Sequence, residues 1–211
     1  MLNLIALDED DRKLLENSYN QICESSEIIT DEDFLRQAAI EVSSSFKVPN
    51  SAVFSFQNLF KVTLPVGHVY IGQCLLDFGY PSKGKGTISS TRVYELQIVG
   101  FTTLSIDLGN TVLRPENKLD KIVGRFWQRW NKSIKFPDAP KFNEKYYLVS
   151  TDKEGIIHYF DKPFINAIAR TKHLLITVKD DKMFITFARG IQAGQSKIIV
   201  DIIKNCRFLE A

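Results

Sequence analysis

The stretch KFNEKYYLVSTDKEGIIHYFDKPFINAIARTKHLLITVKDDKMFITF, residues 141–187, constrains this chain more than any other part of it. Start signals, periodicity and turn chemistry agree along its whole length. Tyr146, Tyr147, Leu148 and Val149 follow the polar Asn143-Glu144-Lys145, which reads as a strand. Thr151 or Asp152 then caps a helix, with carboxylates in its first turn. Ile157, Phe160, Phe164 and Ile168 recur at helical spacing and share one face. Asp161 and Pro163 interrupt that pattern, so one helix ends near Phe160 and a second starts at an Asp161 cap. Leu174, Ile176 and Val178 alternate up to the polar Lys179-Asp180-Asp181-Lys182. Met183, Ile185 and Phe187 alternate beyond it, which predicts a hairpin with one buried face. Residues 196–206 close the chain with divided preferences: five β-branched residues favour a strand, while Ile199, Ile202, Ile203 and Cys206 form a helical stripe. A helix that covers the hairpin is the reading adopted, giving a β-α-β-β-α unit over 141–211.

Upstream, residues 8–23 carry Asp8 to Asp11 in a first helical turn and Leu14, Leu15, Tyr19 and Ile22 on one face. A second helix is capped at Thr30 or Asp31 and striped by Phe34, Leu35, Ala38, Ala39, Val42 and Phe46. The apolar period then changes to two, with predicted strands at 59–64, 69–78, 92–100 and 103–108. Pro81-Ser82-Lys83-Gly84-Lys85-Gly86 reads as a flexible hairpin tip. A helix follows at 118–130, and Pro137 and Pro140 bracket an extended crossing. The predicted fold is α+β: an antiparallel meander with N-terminal helices, plus the C-terminal unit. Its parts are a helical segment 1–50 and a domain 51–211, the latter made of the meander 51–116, the linking helix 118–130 and the unit 141–211.

A chain of 211 residues, 44% apolar and 25% charged, has the composition of a soluble globular protein. It holds no apolar run of the roughly 18 residues a membrane span needs. Its start turns acidic at Asp8, too soon for a secretory signal. Cys23, Cys74 and Cys206 are odd in number and scattered, which fits buried thiols in a reducing cytoplasm better than a disulfide framework. The net charge of +2 hides an asymmetry, because residues 1–36 hold ten acids against three bases. Such polarity steers partners or marks acidic helix starts.

The chemistry-bearing residues form no catalytic pattern. His68, His158 and His173 lack any H-x-H or H-x-x-x-H spacing, so no metal and no cofactor are expected. A site assembled from His68 with Asp77 or Asp107 on neighbouring strands is conceivable, and would make the chain a small hydrolase or ligand-binding domain. Cys74 sits in an apolar strand without a local base, and there is no G-x-S-x-G elbow. Gly84-Lys85-Gly86-Thr87 lacks the full phosphate-loop pattern and precedes a strand rather than a helix. Arg114 and Glu116 form a charged pair in a turn, which contributes little if exposed.

The most informative candidate surface is the segment 118–135, with six bases against one acid. Lys121, Arg125, Arg129 and Lys132 interleave there with Trp127 and Trp130. Cations beside tryptophans suit a partner protein or an anionic membrane surface, while stacking on a nucleic-acid strand is a weaker fit. Most apolar helix stripes are core, and the same residues also fit a helix packed on the meander.

The ordered series Gly84-Lys85-Gly86, Leu113-Arg114-Pro115-Glu116 and Pro140-x-Phe142-Asn143 leading into Tyr146-Tyr147-Leu148-Val149 resembles a family of uncharacterised bacterial proteins, a domain of unknown function. The resemblance covers residues 65–205 and omits the N-terminal helices. It implies a bacterial protein of α+β fold and offers no catalytic residues to carry over. Family members often have membrane-spanning segments, which this chain lacks. Together these readings predict a non-catalytic, cytoplasmic binding or accessory module.

Overall fold

The computed structural model describes residues 9–23, 26–45, 52–65, 67–84, 87–116 and 133–209. Helices α1 (Glu9–Cys23) and α2 (Glu32–Ser45) flank a short strand β1 (Ser26–Ile28). Three long strands follow: β2 (Ala52–Leu64), β3 (Gly67–Gly84) and β4 (Thr87–Thr103). Then come β5 (Thr111–Pro115), α3 (Pro140–Lys145), β6 (Tyr146–Ser150), α4 (Lys153–Tyr159) and α5 (Lys162–Arg170). The hairpin β7 (Leu174–Lys179) and β8 (Lys182–Phe187) leads to α6 (Gln195–Lys204). All eight strands form one antiparallel sheet in the order β1-β2-β3-β4-β8-β7-β5-β6. The fold is α+β.

The C-terminal unit forms where its local signals place it. Asp152 accepts a hydrogen bond from the Gly155 amide at 2.9 Å, and Asp161 accepts one from the Phe164 amide at 3.0 Å, so both helices start at carboxylate caps. Asp180 takes the left-handed conformation, φ 57°, that the tight β7–β8 turn requires. The divided C-terminal segment is helical because Ile199, Ile202 and Ile203 are buried together against the sheet. One detail shifts: the buried residue of α4 is Ile156, whereas Ile157 is 59% exposed. The break at Phe160 lets α4 and α5 take different phases, so the stripe does not run through both.

Two other expectations are corrected. Residues 104–108 do not continue a strand. Asp107 accepts from the Gly109 amide at 2.7 Å, and Gly109 has φ 58°, so the chain turns. Leu104 keeps a single bridge to Leu209. Nor is the chain extended at Pro140, which opens α3, a position where its missing N–H has no helical partner. Asn143 clamps that helix by accepting from the Phe136 amide at 3.0 Å and donating to the Phe136 carbonyl at 2.7 Å.

The sheet has unequal faces. On one, Phe60, Val62, Val69, Ile71, Ile98 and Ile185 join a large core with residues of α1, α3, α4, α5 and α6. The fully buried Gln73 ties α1 to this core: it accepts from Asn58 at 2.8 Å and donates to the Leu15 carbonyl at 3.1 Å. On the other face α2 packs Val42 against Cys74, Val99 and Phe184, bordered by Phe54, Phe56 and Phe101. Among the described residues no helix is long and apolar enough to cross a membrane.

Gly100 lets α6 approach the sheet, since a Cβ there would overlap Cγ2 of Ile199. Gly100→Ala should therefore cost about 1–3 kcal/mol by overpacking. In a double-mutant cycle read by urea unfolding, Ile199→Ala should recover part of that loss, whereas independent, additive losses would contradict this packing.

Candidate functional site

The basic aromatic candidates Lys121, Arg125, Trp127, Arg129, Trp130 and Lys132 lie outside the described residues. So do Lys85 and Gly86; β3 runs through Gly84, which pairs with Thr87 of β4. Arg114 lies within β5 rather than in a turn, and its guanidinium sits 4.9 Å from the centroid of the Tyr147 ring on β6. That is a cation–π contact between adjacent strands.

The structure keeps the dispersed titratable residues apart. His68 and Asp77 are nine residues apart on one strand, roughly 30 Å at a strand's rise per residue. Asp107 is engaged in its own turn. His158 packs edge-on against Tyr159, and His173 occupies a left-handed position, φ 60°, before β7. No group of three or more His, Cys, Asp or Glu placed to hold a metal ion occurs among the described residues. Burial pushes the Cys74 thiol well above its ordinary range. Burial likewise raises Cys206 to about 12, against the opposing effect of a backbone hydrogen bond at Phe208. Both thiols are packing groups, poorly suited to act as nucleophiles at neutral pH.

Among the described residues, concavities open on both faces of the sheet. The larger, of about 590 Å³, lies between the end of α1, the β2–β3 turn and α6. Its floor is aliphatic: Ile22, Val62, Leu64 and Ile71 are all buried core residues. Lys197, Val200, Asp201 and Lys204 line its edge at helical spacing, one stripe of α6. A buried hydrogen bond of 2.9 Å between the Ser18 and Ser196 hydroxyls holds α1 against α6 beside it. Its size falls in the range of about 300–1,000 Å³ found for small-molecule sites.

The smaller concavity, of about 210 Å³, lies between α2 and the opposite face. Rings cover its base. Tyr70 stacks on Phe101 at 5.0 Å and 17°, and Phe101 on Phe184 at 6.2 Å and 30°. Phe34 of α2 approaches Tyr70 at 5.1 Å. His68 stands at the side with its ring 5.2 Å from that of Tyr70. The carboxylate in this lining is Glu41, not Asp77 or Asp107. Lys182 donates to both Glu41 oxygens at 2.8 Å, and Gln37 donates to Oε1 at 3.3 Å.

Sequence spacing pointed to neither concavity, because each draws its lining from segments far apart in the chain.

No protein-family model matches the chain, and no curated protein matches it. Among solved structures, the crystal structure of the mycobacterial trehalose monomycolate transport factor A, TtfA, is similar over 95% of this chain and 99% of that one, with a TM-score of 0.47 and 10% identity.

The Glu41–Lys182 pair gives a pH test. Burial pushes the Glu41 carboxyl up, but the Lys182 and Gln37 hydrogen bonds and the charges of Lys182 and Lys179 together hold it below its ordinary value of 4.5. The pair's contribution is thus fully present above that ordinary value and is lost as pH falls through the lowered one. Glu41→Gln should cost about 0.5–1 kcal/mol at neutral pH, and the deficit should vanish in strong acid. Urea unfolding across that range checks the sign.

Proposed function

We propose that this chain is a non-catalytic binding module, and that the groove between α1 and α6 takes an anionic amphiphile with an aliphatic body. One observation carries this reading: an aliphatic floor lies beside two lysines, Lys197 and Lys204, that have no ion-pair partner among the described residues. Burying aliphatic surface drives the association, at roughly 25 cal/mol per Å² before the costs of binding. The two ammonium groups then select the sign of the head group and orient it at the groove's edge. Asp201 between them tempers the attraction and favours a single negative charge. The dispersed histidines and the raised thiols support a role without covalent chemistry. On this reading the protein works in the reducing cytoplasm, with Cys74 and Cys206 as free, buried thiols.

Isothermal titration with decanoate, below its micellar concentration, tests the reading, with decyltrimethylammonium as the cationic control. Decanoate should bind and the cation should not. Lys197→Glu combined with Lys204→Glu should weaken decanoate about tenfold, or about 1.4 kcal/mol. Val200→Trp, at a half-buried position on the edge, should abolish binding by filling the groove. Equal binding of the cation, or decanoate binding indifferent to both sets of substitutions, would overturn the assignment.

A further inference from the structure

We propose that the cleft beneath α2 is a second, separate site, for a small molecule consisting of one aromatic ring that carries a carboxylate. It shares no lining residue with the α1–α6 groove and stands independently of it.

Three features define the ligand. The first is size. A protein cavity of about 150 Å³ lined by apolar side chains accepts benzene. The cleft's volume of about 210 Å³ exceeds that by enough for a ring with a short polar substituent. The second is the shape of its walls. Tyr70, Phe101 and Phe184 lie on three adjacent strands, β3, β4 and β8, and stack face against face in a row, which turns ring edges to the cleft. Ala38 of α2, only 5% exposed, also lines the cavity, and its small side chain leaves room for a ring over that row. A row of ring edges receives the face of another ring in edge-to-face contact, a geometry that aromatic pairs favour.

The third feature is the polarity of the rim, which offers donors in excess of acceptors. A lysine ammonium has three N–H donors. Glu41 engages two of those on Lys182, one on each carboxylate oxygen, which leaves the third for a ligand. Glu41 is already taken, by Lys182 and by Gln37, and would have to break one of those bonds to receive a ligand cation. The His68 ring has no hydrogen-bond partner among the described residues and stands at the cleft's side. A carboxylate therefore meets an oriented, partly desolvated ammonium without displacing Glu41, and the shared ammonium offsets the repulsion between the two carboxylates. An ammonium ligand would meet Lys182 as a like charge.

Phenylacetate is the probe, with benzylamine testing charge and cyclohexylacetate testing the ring. Titrated into the full chain and followed by NMR, phenylacetate should shift the ring resonances of Tyr70, Phe101 and Phe184 and give intermolecular NOEs to them. Ala38→Phe should weaken it at least tenfold by occupying the cavity. Should that variant fail to fold, Lys182→Met, a change at a side chain 44% exposed, should still weaken phenylacetate at least fivefold. Neither substitution should alter decanoate binding, so this site and the groove succeed or fail separately. Benzylamine binding as tightly as phenylacetate would overturn the proposal, as would cyclohexylacetate binding as tightly. An absence of ring shifts at millimolar phenylacetate would also overturn it.

Discussion

The pairing of β4 with β8 is the contact on which the rest of the structure depends. Four residue pairs make it: Gly100 with Ile185, Phe101 with Phe184, Thr102 with Met183 and Thr103 with Lys182. This short seam turns an N-terminal four-stranded meander and a C-terminal four-stranded group into one sheet. Its register has consequences on both faces. On one, the glycine at position 100 opens the space into which Ile199 seats α6. On the other, the Phe101–Phe184 pair continues the row of rings across the join. The same register carries Lys182 to the edge where Glu41 of α2 meets it. A slip of one residue would send Phe184 and Ile185 to the wrong faces and misplace the lysine. Thr186 reinforces the register by donating to the Ile98 carbonyl at 3.0 Å.

The unequal covering of the two faces follows from side-chain volume. The α1 and α6 side is aliphatic, with Ile, Leu and Val from helices and strands interdigitating in a thick layer. On the α2 side the strands project rings, and the helix meets them with Ala38 and Val42 as its buried residues. Small helix residues over large flat rings cannot fill all the volume between them. The cleft is what remains. Phe34, at 36% exposure, stays at the margin because the helix begins beyond the centre of the row of rings.

Legibility in the sequence tracks the range of the interactions. The C-terminal unit was readable because its determinants are local: Asp152 and Asp161 cap amides three residues ahead, and the β7–β8 turn lies between adjacent alternations. The meander was readable as period-two segments, but its ends were not, since pairing carries β3 and β4 through Pro81 and Ser90 beyond their apolar stretches. Strand β1 was invisible for the opposite reason: three residues paired to β2 carry no periodicity of their own. Neither concavity was legible. Lys182 meets Glu41 across 141 residues, and Ser18 meets Ser196 across 178. No spacing rule reaches that far. His68 lines the small cleft, and the carboxylate beside it is Glu41 rather than Asp77 or Asp107.

Strand β3 lines both concavities, and its pleat keeps them chemically separate. Ile71 points to the aliphatic core and lines the groove, while His68 and Tyr70 point the other way and line the cleft. Alternate residues of one strand thus serve two environments less than a sheet's thickness apart. The aliphatic side keeps the charged groups of its groove, Lys197, Asp201 and Lys204, at the edge on α6. The aromatic side places an ion pair at its rim, where the carboxylate fixes the lysine by two of its three N–H donors. A sheet solvated on one face would not permit this division, because water would screen the lysine and wet the rings. Helix α2, covering the rings incompletely, leaves a cleft beside the packed residues of the second face.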